Sequence, residues 1–207
     1  MNKTATRAYA ATEWITRFAY VNLLWIGFSI LGLVVFGFFP ATISMFAITR
    51  KWAMGETDIP IFQTFMNTYK SEFIKSNCLG AIIAIILGLI VFNLVLIQNM
   101  GNGFFEVIQI PIYMFMFAAG LTILFMFSVY VHYELTLLQI IKNSFLMMII
   151  HPIENLVIIS GLAAVFFVVK FVPGLGFFFA GSISAAIVMA TCYLVFKKVD
   201  KRKQLIT

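Results

Sequence analysis

Apolar residues run almost unbroken over five stretches of the chain, about 19–39, 79–98, 108–131, 155–172 and 174–196. Most hold the ~17–25 residues that a helix needs to cross about 30 Å of hydrocarbon. Between them the pattern changes. In "DIPIFQTFMNTYKSEFIKSN", Ile61, Phe65, Tyr69 and Phe73 recur every four residues, with Phe62 and Met66 beside them. Thr64, Asn67, Thr68, Ser71 and Lys75 fall on the other side. This spacing predicts an amphipathic helix over about 59–76, begun at Asp58 and Pro60 and lying at a membrane surface with its aromatic face towards the lipid. "ELTLLQIIKNSFLMMIIHP" predicts a second surface helix over about 134–150. Sliding the chain by 76 residues aligns Gln63 with Gln139, Asn67 with Asn143, Thr68 with Ser144 and Tyr69 with Phe145. We read this as a weak parallel duplication of helix, surface helix and helix.

The first apolar run continues into "GFFPATISMFAITRKW", residues 37–52, where Pro40 interrupts it. The cations decide how the chain passes this point, because positive residues collect on the cytoplasmic side. Lys3, Arg7 and Arg17 precede the run, and Arg50, Lys51, Lys70 and Lys75 follow it. Lys142 lies in the second surface helix, and Lys197, Lys198, Lys201, Arg202 and Lys203 close the chain. Residues 99–107 carry no cation, and Lys170 is the remaining one. A turn at Pro40 puts all these groups except Lys170 on one side, whereas a single crossing would split them. The pattern therefore predicts a short second pass over 40–53, its bend near Phe38 and Phe39 covered by neighbouring helices. "VPGLG", residues 172–176, predicts a second hairpin, with Pro173 ending a helix and Gly174 and Gly176 supplying a reversed backbone.

The predicted fold is all-α: one integral membrane domain over 1–207, with spans at 19–39, 40–53, 79–98, 108–131, 155–172 and 174–196. It is a polytopic transmembrane bundle of five to six membrane helices plus the two amphipathic helices on the cytoplasmic surface. Both termini are expected in the cytoplasm. Composition agrees: the 207 residues are 62% hydrophobic and only 11% charged, and mean hydropathy is +1.03. A soluble domain needs more polar surface than this. The net charge of +6 therefore points to anionic lipid headgroups and not to nucleic acid. The opening residues lack the short apolar core and cleavage site of a signal peptide, so the first span is expected to be retained. Cys78 and Cys192 form no CxxC pair, and neither a disulfide framework nor a zinc site is expected.

Candidate chemistry is sparse. Glu13, Glu56, Asp58, Glu72, Glu106, Glu134, Glu154 and Asp200 all fall at predicted helix ends or loops, which argues against proton-coupled pumping through a buried carboxylate. His132, Tyr133 and Glu134 stand together, as do His151 and Glu154, but such groups at a water interface are usually just solvated. No HExxH, phosphate-binding glycine loop or GxSxG elbow occurs. The expectation is a protein that is not an enzyme and holds no cofactor or metal. Asn22, Asn93 and Ser128 are candidate intramembrane polar contacts, predicted to bond between helices. Arg50, Lys51, Trp52, Glu56 and Asp58 form a candidate docking surface, with a cytoplasmic lipid anchor as the simpler reading.

The residues from Asn22 onward carry a resemblance. Asn22-Leu23-Leu24-Trp25, Pro40-Ala41-Thr42, Arg50-Lys51-Trp52, Gly55-Glu56, then Phe62, Phe65, Tyr69-Lys70 and Phe73 are similar to the YesL family of bacterial integral membrane proteins. The likeness is strong over about 20–80 and looser through "LTLLQIIKNSFLMM" to the C-terminus. It implies a bacterial cytoplasmic-membrane protein whose relatives occur near carbohydrate ABC transporters and sensor kinases. That suggests an accessory role in sugar uptake or sensing and brings no catalytic residues with it. The competing expectation is a small transporter or channel, supported by the duplication and the intramembrane Asn and Ser residues.

Overall fold

The computed structural model describes residues 3–99 and 104–204. The cation-free loop therefore lies partly outside the described residues. The described chain is helical throughout, without strands: α1 (Lys3–Leu31), α2 (Val35–Ala53), α3 (Ile61–Ser71), α4 (Phe73–Asn99), α5 (Phe104–His132), α6 (Leu137–Ile150), α7 (Pro152–Phe171) and α8 (Pro173–Gln204). Five of them, α1, α4, α5, α7 and α8, are long and apolar enough to cross a membrane. The chain is thus a multi-pass, all-α membrane protein.

The sixth long helix, α2, is the axis of the bundle. It packs against α1, α3, α4, α5 and α8, and every residue from Pro40 to Phe46 is buried. A helical stretch with no exposed face must be largely apolar all round. Its few polar groups turn inward on their own backbone: Ser44 Oγ donates to the Pro40 carbonyl at 2.8 Å and Thr49 Oγ1 to the Phe46 carbonyl at 3.0 Å.

The chain does turn back before α2, but at Gly32–Val34 and not at Pro40. Proline is the stronger break in the sequence, yet the crossing is set by glycine. A Cβ on Gly32 would lie 2.3 Å from the Gly37 Cα, so only a glycine pair lets the two arms approach so closely. Pro40 sits inside α2, in a helix of 19 residues that begins five residues before the expected short pass. Its ring has no N–H to offer the Phe36 carbonyl four residues earlier. Asn77 of α4 fills that vacancy, its Nδ2 donating to the Phe36 oxygen at 3.0 Å.

The first amphipathic helix also differs from expectation. It ends at Ser71, and Glu72 is a bend before α4, so residues 73–76 belong to the next span. Phe65 and Tyr69 of its aromatic face point to protein, while Phe62 remains 46% exposed. Phe65 is fully buried, and the Phe28 ring of α1 meets Phe65 at 5.2 Å and Tyr69 at 5.1 Å between centroids. The Tyr69 hydroxyl donates to the Phe28 carbonyl at 3.2 Å. The second amphipathic helix starts at Leu137, held by a capping box between Thr136 and Gln139. Since α3 starts at Ile61, the two begin at the 76-residue shift that aligns their sequences.

In the α7–α8 hairpin only Val172 is non-helical. Gly174 and Gly176 lie in α8, so their use is not a reversed backbone. Gly176 instead allows α8 to close on Val169, whose Cγ1 would stand 2.8 Å from an added Cβ. Asn22 fastens this hairpin to α1. Its Nδ2 donates to the Phe177 carbonyl at 2.6 Å and its Oδ1 accepts from the Ser182 amide at 2.9 Å. Gly181 stands between them, and a Cβ there would meet Asn22 Oδ1 at 2.8 Å.

These bonds separate the two intramembrane asparagines. Asn93 is exposed on α4 and, among the described residues, donates to the Leu89 carbonyl of its own helix at 2.7 Å, where an interhelical bond was expected. Thermal unfolding of the detergent-solubilised protein should show Asn22→Leu losing about 1–3 kcal/mol, since two buried backbone groups lose their partner. Asn93→Leu should stay within about 0.5 kcal/mol of the parent. Equal losses at both positions would refute the assignment of Asn22 as the α1–α8 fastening.

Candidate functional site

Three breaks in the helices come together at one end of α2. They are the last turn of α2, the bend at Glu72 and the end of α5 at His132. Together they enclose a cleft of about 250 Å³. Arg50, Glu72, Lys75, Tyr130, His132 and Glu134 line it, over an apolar floor that includes Ile43 and Ala47.

The side chains are mutually engaged. Arg50 Nε donates to His132 Nδ1 at 3.3 Å, which makes that nitrogen the acceptor and leaves the ring proton on Nε2. The imidazole is held flat on Phe196, with centroids 4.4 Å apart. The Tyr130 hydroxyl donates to Glu72 Oε2 at 2.6 Å, and Lys75 Nζ stands 5.0 Å over the Tyr130 ring. Tyr133 also lines the cleft, and its hydroxyl donates to Asp200 Oδ1 at 3.3 Å. Burial, with the Asp200 carboxylate beside it, pushes the Tyr133 phenol up to about 12. The cleft therefore offers cationic donors and carboxylate acceptors within one small volume. Such a site recognises a group carrying both signs, or paired charged side chains.

Of the proposed docking residues, Arg50 is turned into this cleft, and Lys51 is partly exposed. Glu56 and Asp58 are exposed on the loop that follows. Trp52 corrects the sequence reading. It is only 8% exposed, its ring meeting Trp14 and Phe18 edge-on at 5.3 Å each. It anchors the loop from beneath and offers nothing to a partner. The loop is also tied above, because Arg17 donates to the Thr57 carbonyl at 2.5 Å. Ser128 is buried on α5 and faces the Cys192 thiol of α8. It stands two residues before Tyr130 of the cleft, whereas Asn22 on α1 and Asn93 on α4 are not among the residues that line it.

Sequence reasoning singled out His132, Tyr133 and Glu134 but not their partners. Lys75 read as part of the polar side of one continuous surface helix and Glu72 as an acid towards its end, and the bend that turns them inward left no local signal. A second pairing closes the α7–α8 hairpin. Glu154 accepts from Lys198 at 2.6 Å, with His151 at 3.6 Å. Among the described residues, no group of three His, Cys, Asp or Glu side chains is placed to hold a metal ion.

Residues 18–94 match the family model described as a protein of unknown function, DUF624. The chain is similar to three Bacillus subtilis proteins. It is 36% identical over 189 residues to the uncharacterized protein YteU, covering 91% of this chain and 85% of that one. It is 32% identical to the uncharacterized protein YesL, covering 92% and 90%, and 32% identical to the uncharacterized protein YesV, covering 97% of each. No solved structure matches the chain.

The Tyr133 environment has a measurable consequence. A phenol ionising near 12 in the folded protein and near 10 when unfolded leaves stability untouched below about pH 10. Above that the unfolded state alone releases its proton, so stability falls as pH climbs from 10 to 12. Denaturant titrations across this range should show a shallower fall for Tyr133→Phe than for the parent. Parallel curves would mean that Tyr133 ionises freely and does not sit against Asp200.

Proposed function

Because the chain belongs to the YesL-like family that carries the DUF624 region, we propose that it is a non-enzymatic accessory component of a membrane assembly for carbohydrate uptake or sensing. It sits in the bacterial cell membrane with both termini and the charged cleft in the cytoplasm. It contacts a transporter permease or a sensor kinase through the end of α2. The sequence resemblance supplies the kind of partner, and the positive residues around the cleft supply the orientation.

One observation carries the docking reading. The loop bearing Glu56 and Asp58 is pinned at both faces, by buried Trp52 below and by Arg17 on the Thr57 carbonyl above. A loop already held in place loses little entropy when a partner binds, which is how a small charged surface gains affinity. Lys51, Glu56 and Asp58 are presented on this platform, half-buried at Lys51 and exposed at the two acids.

The second reading, a small transporter or channel, is favoured by the cleft itself. A volume of about 250 Å³ lined by Arg50, Glu72, Lys75 and His132 suits a small polar solute. Against it, Ser44, Thr49, Thr122, Ser144 and Thr191 all donate to carbonyls of their own helices. The proton of each of these hydroxyls is committed to its own helix and is not free to donate to a passing solute.

Crosslinking in native membranes, with a photoreactive residue replacing Glu56 or Asp58, should capture a permease or kinase subunit. Proteoliposomes holding this protein alone should show no saturable sugar flux. Specific saturable flux without any captured partner would overturn the accessory reading in favour of the carrier.

A further inference from the structure

The α1–α2 bend is built in an unusual way for a turn that meets water. Residues 30–39 read "ILGLVVFGFF", without one polar side chain. Leu31, Leu33, Val34 and Val35 are nevertheless 75%, 79%, 58% and 70% exposed within the protein. Leu33 and Val34 both have left-handed backbones, with φ of 58° and 62°. Glycine or asparagine would adopt that conformation with less strain. An asparagine side chain exposed there in hydrocarbon would leave its amide without a hydrogen-bond partner.

The polar backbone of the bend is closed on itself. The amides of Gly32, Leu33, Val34 and Val35 donate to the carbonyls of Phe28, Ile30, Ser29 and Leu33, at 3.1, 3.0, 2.8 and 2.7 Å. Two carbonyls near the bend receive side-chain donors instead of water, Phe28 from Tyr69 and Phe36 from Asn77. Non-helical backbone survives at membrane depth only when its groups are satisfied by protein in this manner.

The arms are also short. Counting from the cations at their open ends, Arg17 to Leu31 spans about 21 Å and Arg50 to Val35 about 22 Å at 1.5 Å per residue. The hydrocarbon layer is about 30 Å thick. With the cations held at the headgroups, both arms stop short of the far surface by a similar distance.

We propose that the α1–α2 hairpin is re-entrant, with its bend at Gly32–Val35 inside the hydrocarbon and in contact with lipid acyl chains. The exposed Leu31, Leu33, Val34 and Val35 side chains form the lipid-facing cap. The hairpin enters and leaves through the same membrane face, whichever partner the charged end binds.

The test uses the full-length protein with Cys78→Ser and Cys192→Ala, carrying Leu33→Cys or Val35→Cys labelled with a small environment-sensitive fluorophore. It is reconstituted into phosphatidylcholine–phosphatidylglycerol vesicles whose lipids carry a quencher at the headgroup, partway along the acyl chain or near its end. Gel filtration before reconstitution confirms that each labelled variant elutes like the parent. Quenching several-fold stronger from acyl-chain positions than from the headgroup is expected at both sites. The unlabelled cysteines should resist an impermeant thiol reagent from either side and react after denaturation. Strongest quenching from the headgroup, labelling from either aqueous side, or no quenching from any lipid position would each overturn the proposal.

Discussion

A backbone amide or carbonyl that cannot reach water must find its partner within the protein, and α2 concentrates that requirement. The helix is enclosed by five others and carries a proline in its first half, so the Phe36 carbonyl is left open in an apolar setting. Asn77 closes it. The same device recurs where α8 meets α1, with Asn22 serving one carbonyl and one amide of α8 at once. Each asparagine is a side-chain amide used as a replacement for backbone. Much of the packing around these bonds is apolar and non-directional, which fixes how tightly helices sit more than which registers they adopt.

The charged cleft follows from that arrangement. Asn77 holds the start of α4 against the hairpin, and Tyr69 holds the end of α3 to the Phe28 carbonyl. The bend at Glu72 lies between these two ties. It is therefore placed so that Glu72 and Lys75 look towards Tyr130 and His132 instead of into lipid. Arg50 completes the ring from the end of α2. The polar end of the molecule is thus positioned by hydrogen bonds made in its apolar interior.

Spans were legible in the sequence because an apolar run of sufficient length is a property of composition alone. The turn before α2 was legible in kind but not in place. Pro40 interrupts the run visibly, whereas the Gly32–Gly37 approach exists only once two helices are laid side by side. Periodicity found the aromatic face of α3 but could not say what it covers, since lipid and Phe28 are equally apolar. The same limit hid the burial of Trp52, whose charged neighbours Arg50 and Lys51 read as a membrane interface. In the cleft, His132 and Glu134 were visible as a local cluster, while Glu72 and Lys75 join them through a bend with no glycine or proline to mark it.

The reversal of α1 into α2 is the feature on which the axis, the cleft and the charged loop all rest. Arg17 reaches the Thr57 carbonyl, so the two backbones stand within one arginine side chain of each other. A single crossing of the membrane between them would separate the pair by the full hydrocarbon thickness of about 30 Å. In the cysteine-free background, Arg17→Cys and Thr57→Cys should be joined by a short bifunctional thiol reagent in intact membranes, with the linked peptides identified by mass spectrometry. Efficient intramolecular linkage is the predicted result. No linkage, with the two cysteines labelled only from opposite sides of the membrane, would contradict the account.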